Sequence, residues 1–508
     1  MKHLVLLCLL STGISIASEN NTVHTDNQWY RQGQEKIKAL QAQADFPKQA
    51  KNIIFFVGDG MSLATITASR IYQGQQKGED GEENLLSFEK FPYTALSKTY
   101  NTNLQTPDSA GTMSAMITGI KTKAGAISVD ERVQIGECGP KAHHTTSLLT
   151  EAELAGFRTG IVTTARLTHA TPAATYANSE KRGWEADSDI PKKYRKDCKD
   201  IALQLIDYPH GDGLEVAMGG GRKNFIGTKK ADPEYLLLAK GERKDQRDLT
   251  SQWLKKHDHA AYVWNQKQFD ALDVSKTDHL LGLFEPSHMQ YEIDRKNDVA
   301  GEPALKEMTA KALQILQKDD KPFFLMVEGG RIDHGHHAGY AKKALHDTVA
   351  FSSAIENALS MVDLNETLIM VTADHAHTMS MSGYAQKGNP ILGKIVVPDD
   401  QGNPSKTLQK DAQGKPMTTL SYANGPGYVN GDERPDLTHV DTEHKEYKQA
   451  ATVPLYSETH SGEDVIIYAT GAGSQLVRGV LEQNMTYHIM KAAISHQLQL
   501  NANETKGK

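Results

Sequence analysis

Aspartate and histidine gather in three segments at a density that suits a borderline divalent cation. Glu328-Gly-Gly-Arg-Ile-Asp333-His334-Gly-His336-His337 packs two acids and three histidines into ten residues. Zinc-like ions take imidazole and carboxylate ligands. Asp333 and His337 are four apart, so one helical turn would bring both to one ion. Thr372-Ala-Asp374-His375 adds two donors in adjacent positions, and His460, in Glu-Thr-His-Ser-Gly, adds a third region. A single Asp or His at a strand end is usually structural; several such clusters in one chain point to metal chemistry. Ser109 is the candidate nucleophile. It lies in Pro107-Asp108-Ser109-Ala110-Gly111-Thr112, before the helix-like Met113–Ile117. At a helix N-terminus the dipole and free amides favour an alkoxide and an incoming anion. A nearby cation would lower the hydroxyl pKa further, with no histidine base required. Taken alone, the same local sequence reads more readily as a helix cap. Arg182 follows Pro172 to Lys181, which reads as a helix with proline in its first turn. An arginine there could clamp an oxyanion bidentately, although most surface arginines do nothing of the kind.

These residues are far apart in sequence, so the elements that carry them must bring them together. Six short apolar, β-branched runs read as buried parallel strands: Ile53–Val57, Thr159–Thr163, Glu215–Met218, Phe323–Val327, Leu368–Thr372 and Val465–Tyr468. Amphipathic stretches such as Ala304–Gln317 and Ala341–Leu359 lie between them. The alternation predicts an α/β fold with a doubly wound, mostly parallel sheet flanked by helices. The unusual polar residues fall just after the strands: Gly58-Asp59-Gly60 after the first, Glu328 to His337 after the fourth, Asp374-His375 after the fifth. In open α/β sheets, ligands bind beyond the carboxyl ends of strands. One rim is therefore expected to collect all of them. Residues 46–379 and 457–497 are assigned to this catalytic domain. Residues 380–456, rich in Gly, Pro, Asn and Asp, read as an insertion of loops and short strands, and 225–300 as a mixed second lobe. Residues 27–45 read as a helix with Trp29, Ile37 and Leu40 available for packing, and 498–508 as a polar tail.

With 56 basic and 63 acidic residues among 508, the chain carries a net charge of −7. That argues against a nucleic-acid binder, which would need a basic stripe to neutralise phosphates. Lys2 and His3 precede an apolar run from Leu4 to Ile16, with small residues at Ser15, Ala17 and Ser18, so residues 1–17 read as a signal peptide. A spanning helix needs roughly 20 apolar residues, more than this run offers. Export leaves two cysteines, Cys138 and Cys198, for which an oxidising compartment makes a disulfide reasonable, with two free buried thiols as the alternative. No later run is long enough to cross a bilayer, and the polar C-terminus shows no lipid-anchor signal.

Six ordered motifs resemble the alkaline phosphatase family in its long, animal-like branch. They are Phe55-Phe-Val-Gly-Asp59-Gly-Met, Thr106-Pro-Asp-Ser109-Ala-Gly-Thr, His169-Ala-Thr171-Pro, Val327-Glu328 through His337, Thr372-Ala-Asp374-His375 and Thr459-His460-Ser-Gly-Glu-Asp. The resemblance implies hydrolysis of small phosphate monoesters by in-line attack of a zinc-activated serine, through a phosphoserine that zinc-bound water then hydrolyses. It implies two zinc ions, one held by Asp333, His337 and His460, the other by Asp59, Asp374 and His375 beside Ser109. It implies one magnesium held by Asp59, Thr171 and Glu328, with Arg182 on the phosphoryl oxygens and His169 and His334 lining the surroundings. A calcium position is implied at Glu234, the carbonyl of Phe284, Glu285 and Glu302, where Glu302 replaces the usual aspartate after a one-residue insertion. The resemblance also implies a Cys138–Cys198 disulfide, a crown-like domain at 380–456, and a homodimer to which the 27–45 helix contributes. The animal enzymes carry a lipid-anchor tail and this sequence shows none, so a secreted or periplasmic form without a membrane anchor is expected. The competing readings are a phosphodiesterase or sulfatase of the same superfamily. Those branches usually use a threonine, or a modified cysteine in a Cys-x-Pro-x-Arg setting, and the diester enzymes lack the arginine. A non-catalytic metal-binding protein would show a missing nucleophile or ligand, and none is missing.

Overall fold

The computed structural model describes residues 45–499 apart from residue 432. The expected signal peptide, nearly all of the 27–45 helix and most of the polar tail lie outside that range. Ten strands form the central sheet: β1 (Asn52–Gly58), β2 (Tyr93–Lys98), β3 (Arg158–Arg166), β4 (Val216–Gly220), β5 (Ala260–Val263), β6 (His279–Leu283), β7 (Phe323–Gly329), β8 (Thr367–Ala373), β9 (Val465–Gly471) and β10 (Gly479–Glu482). Their spatial order is β10-β2-β9-β8-β1-β7-β3-β4-β6-β5. Every neighbouring pair is parallel except those made by β9, which runs against both β8 and β2. All six predicted strands exist, but Val465–Tyr468 belongs to this antiparallel strand rather than to a parallel one. The reason is positional. His460 lies on the rim only a few residues before β9, so the chain enters the strand at the rim and must run away from it.

β1 shows why the sheet is covered on both faces. All seven of its residues are buried, and side chains alternate across a strand. Ile53, Phe55 and Val57 join one core cluster with Ala110, Met113, Met116 and Ile117 of α2 (Ser109–Thr118). Ile54 and Phe56 join the other, with Met308, Leu313 and Leu316 of α4 (Leu305–Leu316) and Phe351, Ile355 and Ala358 of α6 (Ala341–Leu359). The remaining helices that matter here are α1 (Leu63–Gln76), α3 (Ala170–Ala173), α5 (Arg331–His337) and α7 (Met485–Ala493). Both long predicted helices are present, α6 with the predicted bounds.

One predicted helix fails. From Pro172 to Lys181 only Pro172 and Ala173 are α-helical. Beyond them the chain turns, and Ser179 exchanges both backbone hydrogen bonds with Ile127 at 2.8 and 2.9 Å. Cross-chain pairing overrides a local preference of a few tenths of a kcal/mol per residue. In the 380–456 stretch the structure has short strands, Val396–Val397, Thr407–Leu408, Leu420–Gly425 and Ala451–Pro454, joined by turns. Cys138 and Cys198 are disulfide-bonded.

Candidate active site

Four adjacent strands, β8, β1, β7 and β3, bring their carboxyl ends to one rim. Gly58 of β1 pairs with Ala373 of β8 on one side and Gly329 of β7 on the other, and Thr163 of β3 pairs with Glu328 of β7. Register therefore sets Asp59 beside Asp374, with Glu328 on the neighbouring strand level with Val57, two residues back. Gly60 makes the turn after Asp59 in a left-handed conformation (φ +66°), and its N–H donates to Asp374 Oδ1 at 3.0 Å.

Ser109 is the first residue of α2 and is 2% exposed. Asp108 caps the helix by accepting from Gly111 N at 3.1 Å, and Gly119 closes it in the left-handed conformation at φ 77°. The cap is therefore Asp108, and Ser109, the candidate nucleophile, is the residue that follows it. Ser109 Oγ lies 3.0 Å from His375 Nε2. That nitrogen is in turn 3.3 Å from Asp59 Oδ1 and 3.3 Å from Asp374 Oδ2. Thr112 Oγ1, one turn into α2, donates to Asp374 Oδ2 at 3.3 Å.

A second group adjoins the first. α5 sets Asp333 and His337 on one turn, as their spacing predicted, with 3.3 Å between Asp333 Oδ1 and His337 Nε2. His460 Nε2 is 3.4 Å from the same oxygen and 3.1 Å from His337 Nε2. The His460 ring stacks on His375, centroids 3.6 Å apart, so the two groups share a wall. His377 completes this group and was missed by sequence reasoning. Its Nε2 is 2.7 Å from Asp333 Oδ1 and its Nδ1 bonds Glu458 Oε2. Burial works against its charge, but Glu458 and Asp333 outweigh burial and push its pKa up to about 10. The signal was present: a second histidine two residues after His375, and Glu458 two residues before His460.

The third group lies between β1, β7 and the turn after β3. Asp59, Glu328 and His169 bring ligand atoms within 4.8 Å of one another. Both oxygens of Asp59, Oε1 of Glu328 and Oγ1 of Thr171 are buried with no hydrogen-bond partner among the described residues. The other oxygen of Glu328 accepts from Thr163 Oγ1. Burial first, then repulsion from Asp374, Asp333 and Glu328, pushes the Asp59 carboxyl well above the usual range, and burial raises Glu328 to about 8. Buried acids that repel one another while their oxygens go unbonded are a poor arrangement for a protein alone and a good one around cations. The residues present therefore fit divalent ions.

Arg182 reaches the site despite the missing helix. Its Nη1 donates to Asp108 Oδ2 at 3.2 Å, and Nη2 lies 3.0 Å from His169 Nε2. His334 packs 5.6 Å from His169, and His288, not singled out by sequence, packs 4.0 Å from His334. Burial and neighbouring arginines depress the pKa of His169, while burial and then His288 depress that of His334. Away from the rim, Glu234, Glu285 and Asp298 form an acid cluster. Asp298 was not singled out by sequence, and both its oxygens are buried without a hydrogen-bond partner among the described residues. Glu302 lies alongside, one oxygen accepting from Gln290 N at 2.8 Å and the other unpartnered. Phe284 is buried against Phe269.

Residues 50–496 match the family model for alkaline phosphatase. The chain is 46% identical over 475 residues to the tissue-nonspecific alkaline phosphatase of Rattus norvegicus, covering 92% of this chain and 88% of that one. It is 44% identical over 474 residues to the Homo sapiens protein of the same name, with the same coverage. Among solved structures, the alkaline phosphatase of Thermus thermophilus superposes with a TM-score of 0.63 at 22% identity, over 92% of this chain and 98% of that one, and shares the fold. Likeness of that depth, spanning every strand that feeds the rim, makes the chain a member of the alkaline phosphatase family, a hydrolase of phosphate monoesters that works with divalent metal ions.

Proposed function

We propose that Ser109 is the nucleophile of an in-line phosphoryl transfer and that three cation positions surround it. The observation that carries this reading is the position of Ser109 Oγ, at a helix N-terminus and 3.0 Å from His375 Nε2, beside buried carboxylates whose oxygens lack protein partners. Asp333, His337 and His460 would hold one zinc, with His377 fixing the Asp333 carboxylate. Asp59, Asp374 and His375 would hold the other, and Asp59, Thr171 and Glu328 a magnesium. Such ions, when bound, lower the pKa of an adjacent hydroxyl or water and stabilise charge on phosphoryl and leaving oxygens.

The chain's own residues do the rest. The N-terminal turn of α2 presents Ser109 Oγ toward the phosphorus and favours negative charge there. Asp108 holds the Arg182 guanidinium at the mouth of the site, where its fork can bind two phosphoryl oxygens. His169 braces the same guanidinium from the other side. Ser109 Oγ bonds to phosphorus as the alcohol leaves on the opposite face, giving a phosphoserine. Water attacks that phosphoserine from the vacated side and returns Ser109 and inorganic phosphate.

Glu234, Glu285 and Asp298, with Glu302 and the Phe284 carbonyl nearby, would hold a calcium. Among the described residues no helix is long and apolar enough to cross a membrane. The family resemblance supports an exported homodimer. The mechanism is tested by quenching the enzyme in acid during turnover and mapping phosphate by mass spectrometry. Phosphate on Ser109, and none in Ser109→Ala, is expected; turnover of Ser109→Ala near the parent rate would overturn the assignment. Metal analysis should return zinc and magnesium in a ratio of two to one.

A further inference from the structure

We propose that the hairpin Ala231–Lys240 is a membrane-surface contact, seating three leucines in the interfacial layer of an anionic bilayer. The hairpin pairs Ala231–Asp232 with Leu236–Lys240. Leu236, Leu237 and Leu238 are 63%, 100% and 90% exposed. Three consecutive uncovered leucines break the inside–outside alternation a surface strand normally keeps. Leu236 also adopts a left-handed backbone (φ 45°), which bulky residues rarely do.

The hairpin is held firmly from beneath. Arg222, fully buried, donates to Asp232 at 2.7 and 2.8 Å and to Glu234 at 2.8 Å. Ala300 N donates to Glu234 Oε1 at 3.2 Å, and Tyr235 OH donates to Glu285 at 3.1 Å. Leu238 N closes the turn on Tyr235 O at 2.8 Å. The acids of this segment therefore face inward and are bonded, while the leucines are displayed by an anchored frame.

The charges displayed beside the leucines carry a basic surplus. Lys229, Lys230 and Lys240 flank the leucines and are exposed, and Lys244 and Arg247 follow on the next loop. Lys230 is paired with Asp248, Asp245 with Arg243 and Arg247, and Glu242 with Lys223, which leaves Lys229, Lys240 and Lys244 as the surplus. An apolar tip ringed by lysines complements a bilayer bearing anionic headgroups: the leucines enter the acyl boundary and the lysines reach back to the phosphates. A stable protein interface buries about 800 Å² on each partner. Three side chains on one narrow two-stranded ribbon offer much less than that, so a protein partner suits the surface poorly.

The test is co-sedimentation of the full chain with phosphatidylglycerol–phosphatidylcholine vesicles and with phosphatidylcholine vesicles, at low and high salt. Binding to the anionic vesicles that weakens with salt is expected. The variant Leu236→Ser/Leu237→Ser/Leu238→Ser should partition at least about tenfold less, with unchanged hydrolysis of a nitrophenyl phosphate monoester. Three outcomes overturn the proposal: no sedimentation of the parent chain with anionic vesicles, equal sedimentation of the variant, or leucine-dependent self-association on size exclusion without vesicle binding.

Discussion

Asp108 accepts from Gly111 N, from Gly125 N at 2.9 Å and from Arg182 Nη1, so one carboxylate caps the helix that begins at Ser109 and holds the arginine beside it. Arg182 is itself about one-third exposed at the mouth of the site, and among the described residues the carboxylate it pairs with there is that of Asp108. Arg182→Ala is therefore expected to weaken inhibition by inorganic phosphate about ten- to a hundredfold, the range of a charge-assisted hydrogen-bond pair. Zinc and magnesium content should stay at the parent level, because Arg182 is no candidate ligand. Inhibition constants together with elemental analysis check both halves of this expectation. An unchanged phosphate constant would place the clamp elsewhere.

At the scale of elements, the turn after β1 and the far end of β3 and β4 each carry a consequence. A Cβ on Gly60 would fall 2.3 Å from Cδ2 of His377, and the left-handed backbone adds roughly 1–2 kcal/mol of its own for an L side chain. Gly60→Ala should displace His377 and Asp333, lowering bound metal and activity by at least about tenfold; full metal content in that variant would show the turn to be tolerant. At the opposite end of the sheet, Glu153 and Glu215 are buried together. Burial, and for Glu153 also repulsion by Glu215, pushes them up to about 9 and about 8. In the unfolded chain both would titrate at about 4.3. Between those limits the folded state binds more protons, so stability falls as pH rises from about 4 toward 9 and levels off above. Gly213 N bonds Glu153 Oε1 at 3.2 Å and Thr159 Oγ1 bonds Oε2 at 2.6 Å, so Glu153→Gln keeps its carbonyl oxygen as acceptor for Gly213 N and turns its amide toward the Thr159 hydroxyl, which can accept instead. The variant's melting temperature should drop less between pH 6 and pH 10 than that of the parent, by differential scanning calorimetry. Equal drops would mean that other groups set the alkaline limit.

Over the whole molecule, the Cys138–Cys198 disulfide ties together two positions 60 residues apart. The enclosed chain contains α3, His169, Thr171 and Arg182. Closing a loop of that length limits the unfolded chain by about 4 kcal/mol in the chain-entropy picture. Cys138→Ser/Cys198→Ser is expected to lower the unfolding free energy by about that amount in denaturant titrations, with a smaller effect on turnover at low temperature. A loss confined to activity would assign the disulfide to positioning Arg182 instead.

Motif spacing and hydrophobic period determined a good deal unaided. The strand periods placed β1, β3, β7 and β8. The four-residue interval put Asp333 and His337 on one turn, and Asp59, Glu328 and Asp374 were legible as rim residues because they directly follow buried β-branched runs. Strand-end chemistry is local in sequence, and local order survives folding. Other features were decided by contacts between distant segments. Ser179 pairs with Ile127, and that pairing, not helix propensity, delivers Arg182 to Asp108. β9 runs antiparallel because His460 must enter from the rim. His377 and Asp298 join their clusters only when Glu458 with Asp333, and Glu234 with Glu285, are brought beside them. A sequence states which groups a chain owns; which of them lose their water and face one another is settled when the sheet closes its register and the loops pack across it.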